Sequence, residues 1–133
     1  MIVLDTHVLV WADADDHKLG RKARILIDRL WSLGQVTVSA ISFWEIGMLQ
    51  ARRRLRLPVS VAEWRDALLS AGVVELPLDG AMAVRALDLA GIHDDPADRF
   101  IAATALLHGA ALVTADDRLL DWGGALKRYD ARE

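Results

Sequence analysis

Three carboxylates fall within five residues in DDPADRF, Asp94 to Phe100, immediately before the apolar run IAATALL. Acids at the entrance to a segment bound for the interior need something positive to face, or a structural duty of their own. Further acids recur in comparable settings: Asp5 in MIVLDTHVLVW, Glu45 in SAISFWEIGML, and Asp116 with Asp117 in LVTADDRLL. Brought together, such groups repel; at ~5 Å and an effective dielectric of ~20, each pair costs about 3 kcal/mol. A cluster of four therefore persists only with protons or cations to offset it. The chain has no cysteine, and its four histidines, His7, His17, His93 and His108, show no ligand spacing. An all-oxygen donor set suits Mg²⁺ or Mn²⁺, ions that keep waters and accept phosphate oxygens. The chemistry that follows is metal-assisted attack of water on a phosphodiester. Crowding also predicts that neutralising Asp5, Glu45 or Asp98 raises the melting temperature of the metal-free protein.

Taken singly, each acid has a structural reading as well. Asp5 is placed to cap a helix over THVLVWA. Ser42-Phe43-Trp44-Glu45 fits a capping box. Asp95-Pro96-Ala97-Asp98 reads as an N-cap, a proline at the first helical position and an acid favoured by the helix dipole. Asp116 and Asp117 could cap or turn before DRLLDW. Four such coincidences at one edge of one sheet favour a site over four unrelated caps.

The elements that would position these acids alternate. Strands are predicted at Ile2–Leu4, Val36–Ser39, Val73–Leu76 and Ala111–Thr114, with a weak fifth in LKRYD. Helical periodicity fills the gaps. Leu19, Ala23, Leu26, Ile27 and Leu30 share one face, and further helices are expected near Ser42–Arg54, Ser60–Ala71, Asp79–Leu89 and Pro96–His108. Strands alternating with helices imply right-handed crossovers and a three-layer α/β/α sandwich on a mainly parallel sheet of four to five strands, in one domain over residues 1–133. In such a sheet ligands bind beyond the carboxyl ends of the strands. Asp5 and Asp116 follow strands directly, and Glu45 opens the helix after the second. Asp98 opens the helix before the fourth strand.

The same four stretches carry a family likeness that spans essentially the whole chain. VLDTHVLVW, SAISFWEIGML, DDPADRFIAATA and LVTADDRLL, in this order and spacing, resemble the PIN-domain ribonucleases, in particular the VapC-type toxins of bacterial toxin–antitoxin pairs. The resemblance implies a metal-dependent nuclease whose acidic pocket binds one or two Mg²⁺ or Mn²⁺ ions through Asp5, Glu45, Asp98 and Asp116, with Asp117 an alternative for the last. It implies a supporting hydrogen bond from Thr114, an N-cap role for Asp95, an RNA substrate, a cognate antitoxin and a homodimer. Asp94 is left to solvent.

Composition bounds the alternatives. At 133 residues, 53 % hydrophobic and with five tryptophans, the chain has apolar surface to spare for association. Net charge is −3, but with four acids sequestered in one cluster the remainder is close to neutral, so bulk charge does not exclude RNA. Asp5 interrupts the apolar start and no basic lead precedes it, which is unlike a signal peptide, and no apolar run approaches the ~18 residues of a membrane span. The expected location is the cytoplasm. The run Arg52–Arg56 is either a solvated helix end or a grip for phosphate or antitoxin. Arg99 is expected to pair structurally, and His93 is a candidate RNA contact. A haloacid-dehalogenase-like phosphatase would need an acid where His7 stands. A receiver domain would need an aspartate ending the third strand, where Glu75-Leu76-Pro77 lies. The remaining rival is a PIN-like protein that binds RNA or a partner without cleaving.

Overall fold

A computed structural model describes residues 1–133. Five strands, β1 (Ile2–Leu4), β2 (Val36–Ser39), β3 (Val74–Leu76), β4 (Ala111–Thr114) and β5 (Arg128–Asp130), form one sheet in the order β3-β2-β1-β4-β5. Every neighbouring pair is parallel. Seven helices connect them: α1 (Thr6–Ala14), α2 (Arg21–Ser32), α3 (Ile41–Ala51), α4 (Val61–Ser70), α5 (Gly80–Leu87), α6 (Pro96–Leu107) and α7 (Asp117–Leu120). This is the α/β/α sandwich on a parallel sheet that the alternation implies.

Strand pleating divides the core in two. Ile2, Leu4, Val36, Val38 and Val113 face one side and pack on Val8, Leu9, Ile27, Ile46 and Trp64 from α1 to α4. Val3 and Leu112 face the other and pack on Met82, Ile101, Ala102 and Leu119 from α5 to α7. Both faces are covered, which accounts for the burial of every residue of β1, β2 and β4. No helix is long and apolar enough to cross a membrane.

Two local departures from the expected elements bear on the site. First, α3 begins at Ile41 directly after β2, with Ala40 at its N-cap. Glu45 therefore lies in the second turn, and no Ser42–Glu45 capping box forms. Ser42 is buried, and its Oγ accepts the Thr6 hydroxyl at 2.9 Å, tying α3 to α1. Second, α3 stops at Ala51, three residues short of the expected end. Arg53 takes a left-handed conformation (φ 57), so that Arg54 N–H reaches Leu49 O and Arg53 N–H reaches Gln50 O. That is a Schellman turn built without glycine, and it leaves the Arg52–Arg56 run irregular.

Candidate functional site

The order β3-β2-β1-β4-β5 puts the topological switch between β1 and β4, and a cleft of about 210 Å³ opens there at the carboxyl edge. Asp5, Glu45, Asp98 and Asp116 all line it. Asp117 does not: it is exposed and paired with Arg132 at 2.7 Å. Of the two neighbours, Asp116 is the one turned into the cleft.

Asp5 is buried and also caps α1, its Oδ1 accepting Thr6 N–H at 2.8 Å. Its Oδ2 accepts the Thr114 hydroxyl at 2.7 Å, and that hydroxyl accepts Asp116 N–H at 3.0 Å. Thr114 thus makes the expected supporting hydrogen bond near the fourth acid and also fixes the first acid to it. Asp98 is buried in the first turn of α6, where Asp95 Oδ1 accepts its backbone N–H at 3.1 Å. Asp95 performs the expected N-cap duty, and its carboxylate also lines the cleft. Asp94 is fully exposed, 3.5 Å from Arg99.

The electrostatics follow from this crowding. Burial pushes the Asp98 carboxyl from an ordinary 3.8 up to about 7, reinforced by the charges of Asp5 and Asp95 and opposed by a hydrogen bond from His93. Burial also raises Glu45, with Asp5 and Asp95 adding to it. Asp116 moves the other way. Burial works against it, but hydrogen bonds and charge from Arg118 prevail and hold its carboxyl below the usual range.

Two residues here carry duties that the sequence reading did not give them. His93, taken as structural or as an RNA contact, has Nε2 at 2.6 Å from Asp98 Oδ2, and its Nδ1 is buried with no partner. Arg118, two residues beyond Asp116, sets Nη2 at 3.0 Å from Asp116 and 3.7 Å from Asp98. Neither sits at a spacing that marks a ligand; the signal available was their closeness in sequence to the acids. Arg99 is structural, as expected, and its hydrogen bonds go to backbone carbonyls, with the exposed Asp94 its one carboxylate neighbour. Its guanidinium reaches His93 O, Ala86 O and Ile92 O at 3.0–3.1 Å, closing the α5–α6 connection that carries His93.

The donors suit a hard divalent cation. Single atoms of Glu45, Asp95 and Asp98 lie within 4.8 Å of one another, as do those of His93, Asp98 and Asp116. Oxygen predominates, with one imidazole, and burial together with the nearby charges of Asp5 and Asp95 favours the neutral Asp98 carboxyl, a setting that added positive charge would relieve.

Comparison with known proteins fits this geometry. The PIN domain family model matches residues 2–124. The chain is 34% identical over 119 residues to Ribonuclease VapC22 of Mycobacterium tuberculosis, covering 89% of this chain and 88% of the relative. Among solved structures, DNA-bound VapBC from Salmonella typhimurium superimposes with a TM-score of 0.70 at 18% identity, over 97% of this chain and 96% of that one. A toxin–antitoxin complex from Klebsiella pneumoniae gives 0.65 at 20%, covering 98% of each chain.

Proposed function

Because the chain belongs to the PIN-domain family and is homologous to VapC-type toxins, we propose that it is a divalent-metal-dependent ribonuclease acting as the toxin of a toxin–antitoxin pair. The observation that carries this reading is the cleft itself. Four acids from four separate segments converge at the switch point, and Asp98 there is pushed up to about 7 by burial, reinforced by the charges of Asp5 and Asp95.

Asp5, Glu45, Asp98 and Asp116 would hold Mg²⁺ or Mn²⁺. When bound, the ion supplies charge stabilisation for the phosphodiester and eases deprotonation of water. The chain's own residues set the geometry. Thr114 and Thr6 N–H fix both oxygens of Asp5, and Asp95 anchors the turn that presents Asp98. His93 is placed to take or return a proton at Asp98 Oδ2. Arg118 is exposed enough to leave Asp116 for a phosphate oxygen.

The relative's name, a ribonuclease, supports RNA as the substrate. The complexes formed by the structural relatives support an antitoxin partner. A homodimer accords with the exposed Val84 and Leu87 on α5, and light scattering should then give twice the 14.7 kDa chain mass. The rival reading, binding without cleavage, draws on Arg118, which already meets part of the cleft's charge. Incubation of purified protein with structured RNA separates the two. Cleavage is expected with Mg²⁺ or Mn²⁺ and none in EDTA. Cleavage undiminished in excess EDTA would overturn the metal mechanism, and no cleavage with either ion would favour the rival.

A further inference from the structure

A second recess, about 240 Å³, opens off the acidic cleft and shares Thr6, His7 and Leu49 with it as a common wall. Its character is different. Trp11, Lys18 and Arg54 face it, and Asp16 is its one acid. Trp11 packs one flank on the core, yet its indole N–H has no partner in the chain and is not buried. Trp31, Trp64 and Trp122, in contrast, donate to Ala71 O, Asp13 Oδ2 and Ala90 O. The His7 ring stands 5.1 Å from Trp11, tilted by 60°, and is held there because its Nε2 accepts Ala115 N–H at 3.0 Å. Lys18 Nζ lies over the indole at 5.9 Å. The Schellman turn at the end of α3 delivers Arg54 to the same recess. Neither the Lys18 ammonium nor the Arg54 guanidinium makes a hydrogen bond or ion pair within the chain, whereas Arg24, Arg65, Arg118 and Arg132 are all paired.

We propose that this recess seats one unpaired nucleotide of the RNA, its base on Trp11 and its flanking phosphates on Lys18 and Arg54. That it adjoins the scissile phosphate rests on the ribonuclease reading. An aromatic face with a free polar edge between two uncommitted cations is what a single strand uses, since every base has a π-face and every link a charge. An exposed cation–π contact is weaker than a base stacked on indole, so the entering base displaces the Lys18 ammonium toward a phosphate. Asp16 offers an acceptor to an amino group on the base edge. A base inside a duplex is already stacked and cannot enter, so the recess selects loops and single-stranded segments.

Binding of a short fluorescein-labelled single-stranded oligoribonucleotide, measured by anisotropy in EDTA so that no cleavage intrudes, tests this. Trp11→Leu should weaken binding by about ten-fold, and Trp11→Phe should restore most of it. Lys18→Ala with Arg54→Ala should lower the slope of log affinity against log salt by about 1.4, or ~0.7 per phosphate contact, while Arg85→Ala on α5 leaves it unchanged. The same strand annealed to its complement should bind more weakly. Because Lys18 and Arg54 are exposed, their variants stay informative even if Trp11→Leu misfolds. An unchanged salt slope in the double variant, or duplex bound as tightly as single strand, overturns the proposal and leaves the recess to a protein partner. Cleavage by the unmodified protein is scored separately. RNA cut with metal but bound indifferently to these variants sinks the recess alone. RNA bound through the recess but never cut sinks the ribonuclease reading alone.

Discussion

His93 Nε2 and Asp98 Oδ2 stand 2.6 Å apart, and the far nitrogen of the same imidazole is buried with no partner. One hydrogen bond lowers the Asp98 carboxyl but does not offset its burial, and the group still sits at about 7. Below about pH 7 Asp98 therefore holds a proton, which relieves the cost of its burial and its repulsion with Asp5 and Asp95.

That proton makes stability depend on pH. The native value of about 7 lies above the ordinary 3.8, so between those limits the native state binds more protons than the unfolded chain. Stability from this group is therefore complete below about pH 4 and is lost as pH rises through 7, by at most on the order of 4 kcal/mol. Urea melts in EDTA at several pH values should show the loss in the unmodified protein and its absence in Asp98→Asn. Saturating Mn²⁺, which favours the ionised carboxylate, should abolish it. Identical pH profiles for the two proteins would contradict the assignment.

Asp5→Asn should behave oppositely to Asp98→Asn. Crowding alone predicts that removing any cleft charge raises the metal-free melting temperature. Asp5, however, accepts both Thr6 N–H and the Thr114 hydroxyl, and an amide has only one acceptor oxygen for the two. The loss of one buried hydrogen bond and weakening of a cap cost about 1–2 kcal/mol. In EDTA, Asp5→Asn should melt below the unmodified protein and Asp98→Asn above it. A higher melt for both would show that repulsion dominates at Asp5 as well.

Arg118 competes with any cation for Asp116, since the two are 3.0 Å apart and the guanidinium also approaches Asp98. Calorimetric titration with Mn²⁺ should give several-fold tighter binding for Arg118→Ala. Asp116→Asn should lose affinity, while Asp117→Asn, whose partner is Arg132, should match the unmodified protein. Weaker Mn²⁺ binding by Arg118→Ala would instead make the guanidinium a support for the site.

Arg99 stabilises the loop that bears His93 by closing three backbone carbonyls with one planar fork. Arg99→Ala strands those groups and should cost about 2–4 kcal/mol in urea unfolding. Arg99→Lys, with a point charge in place of the fork, should recover only part.

The strands and most helices were legible because their apolar runs are short, bounded by Gly72, Pro77, Gly109 and the acids, and separated by helical periodicity. β1, β2 and β4 match the sequence reading residue for residue. The four cleft acids were legible as carboxylates at strand ends and helix starts. What escaped was set by long-range packing. Ser42 reads as half of a capping box, yet its hydroxyl meets Thr6 from 36 residues away. His93 carries no spacing signal, because its loop is folded onto Asp98 by Arg99 and not by local periodicity. The early end of α3 was hidden too, since an arginine rather than a glycine takes the left-handed position.

Thr114 donates to Asp5 across 109 residues of chain, and β1 lies between β2 and β4 at the centre of the sheet. Contacts of that span form only after everything between them has been made. On a translating ribosome Asp5 emerges 109 residues ahead of Thr114 and waits, unpaired, for β4. Until Thr114 and Asp116 have left the ribosome the cleft lacks its fourth acid, so a nascent or truncated chain ending before β4 cannot assemble the site.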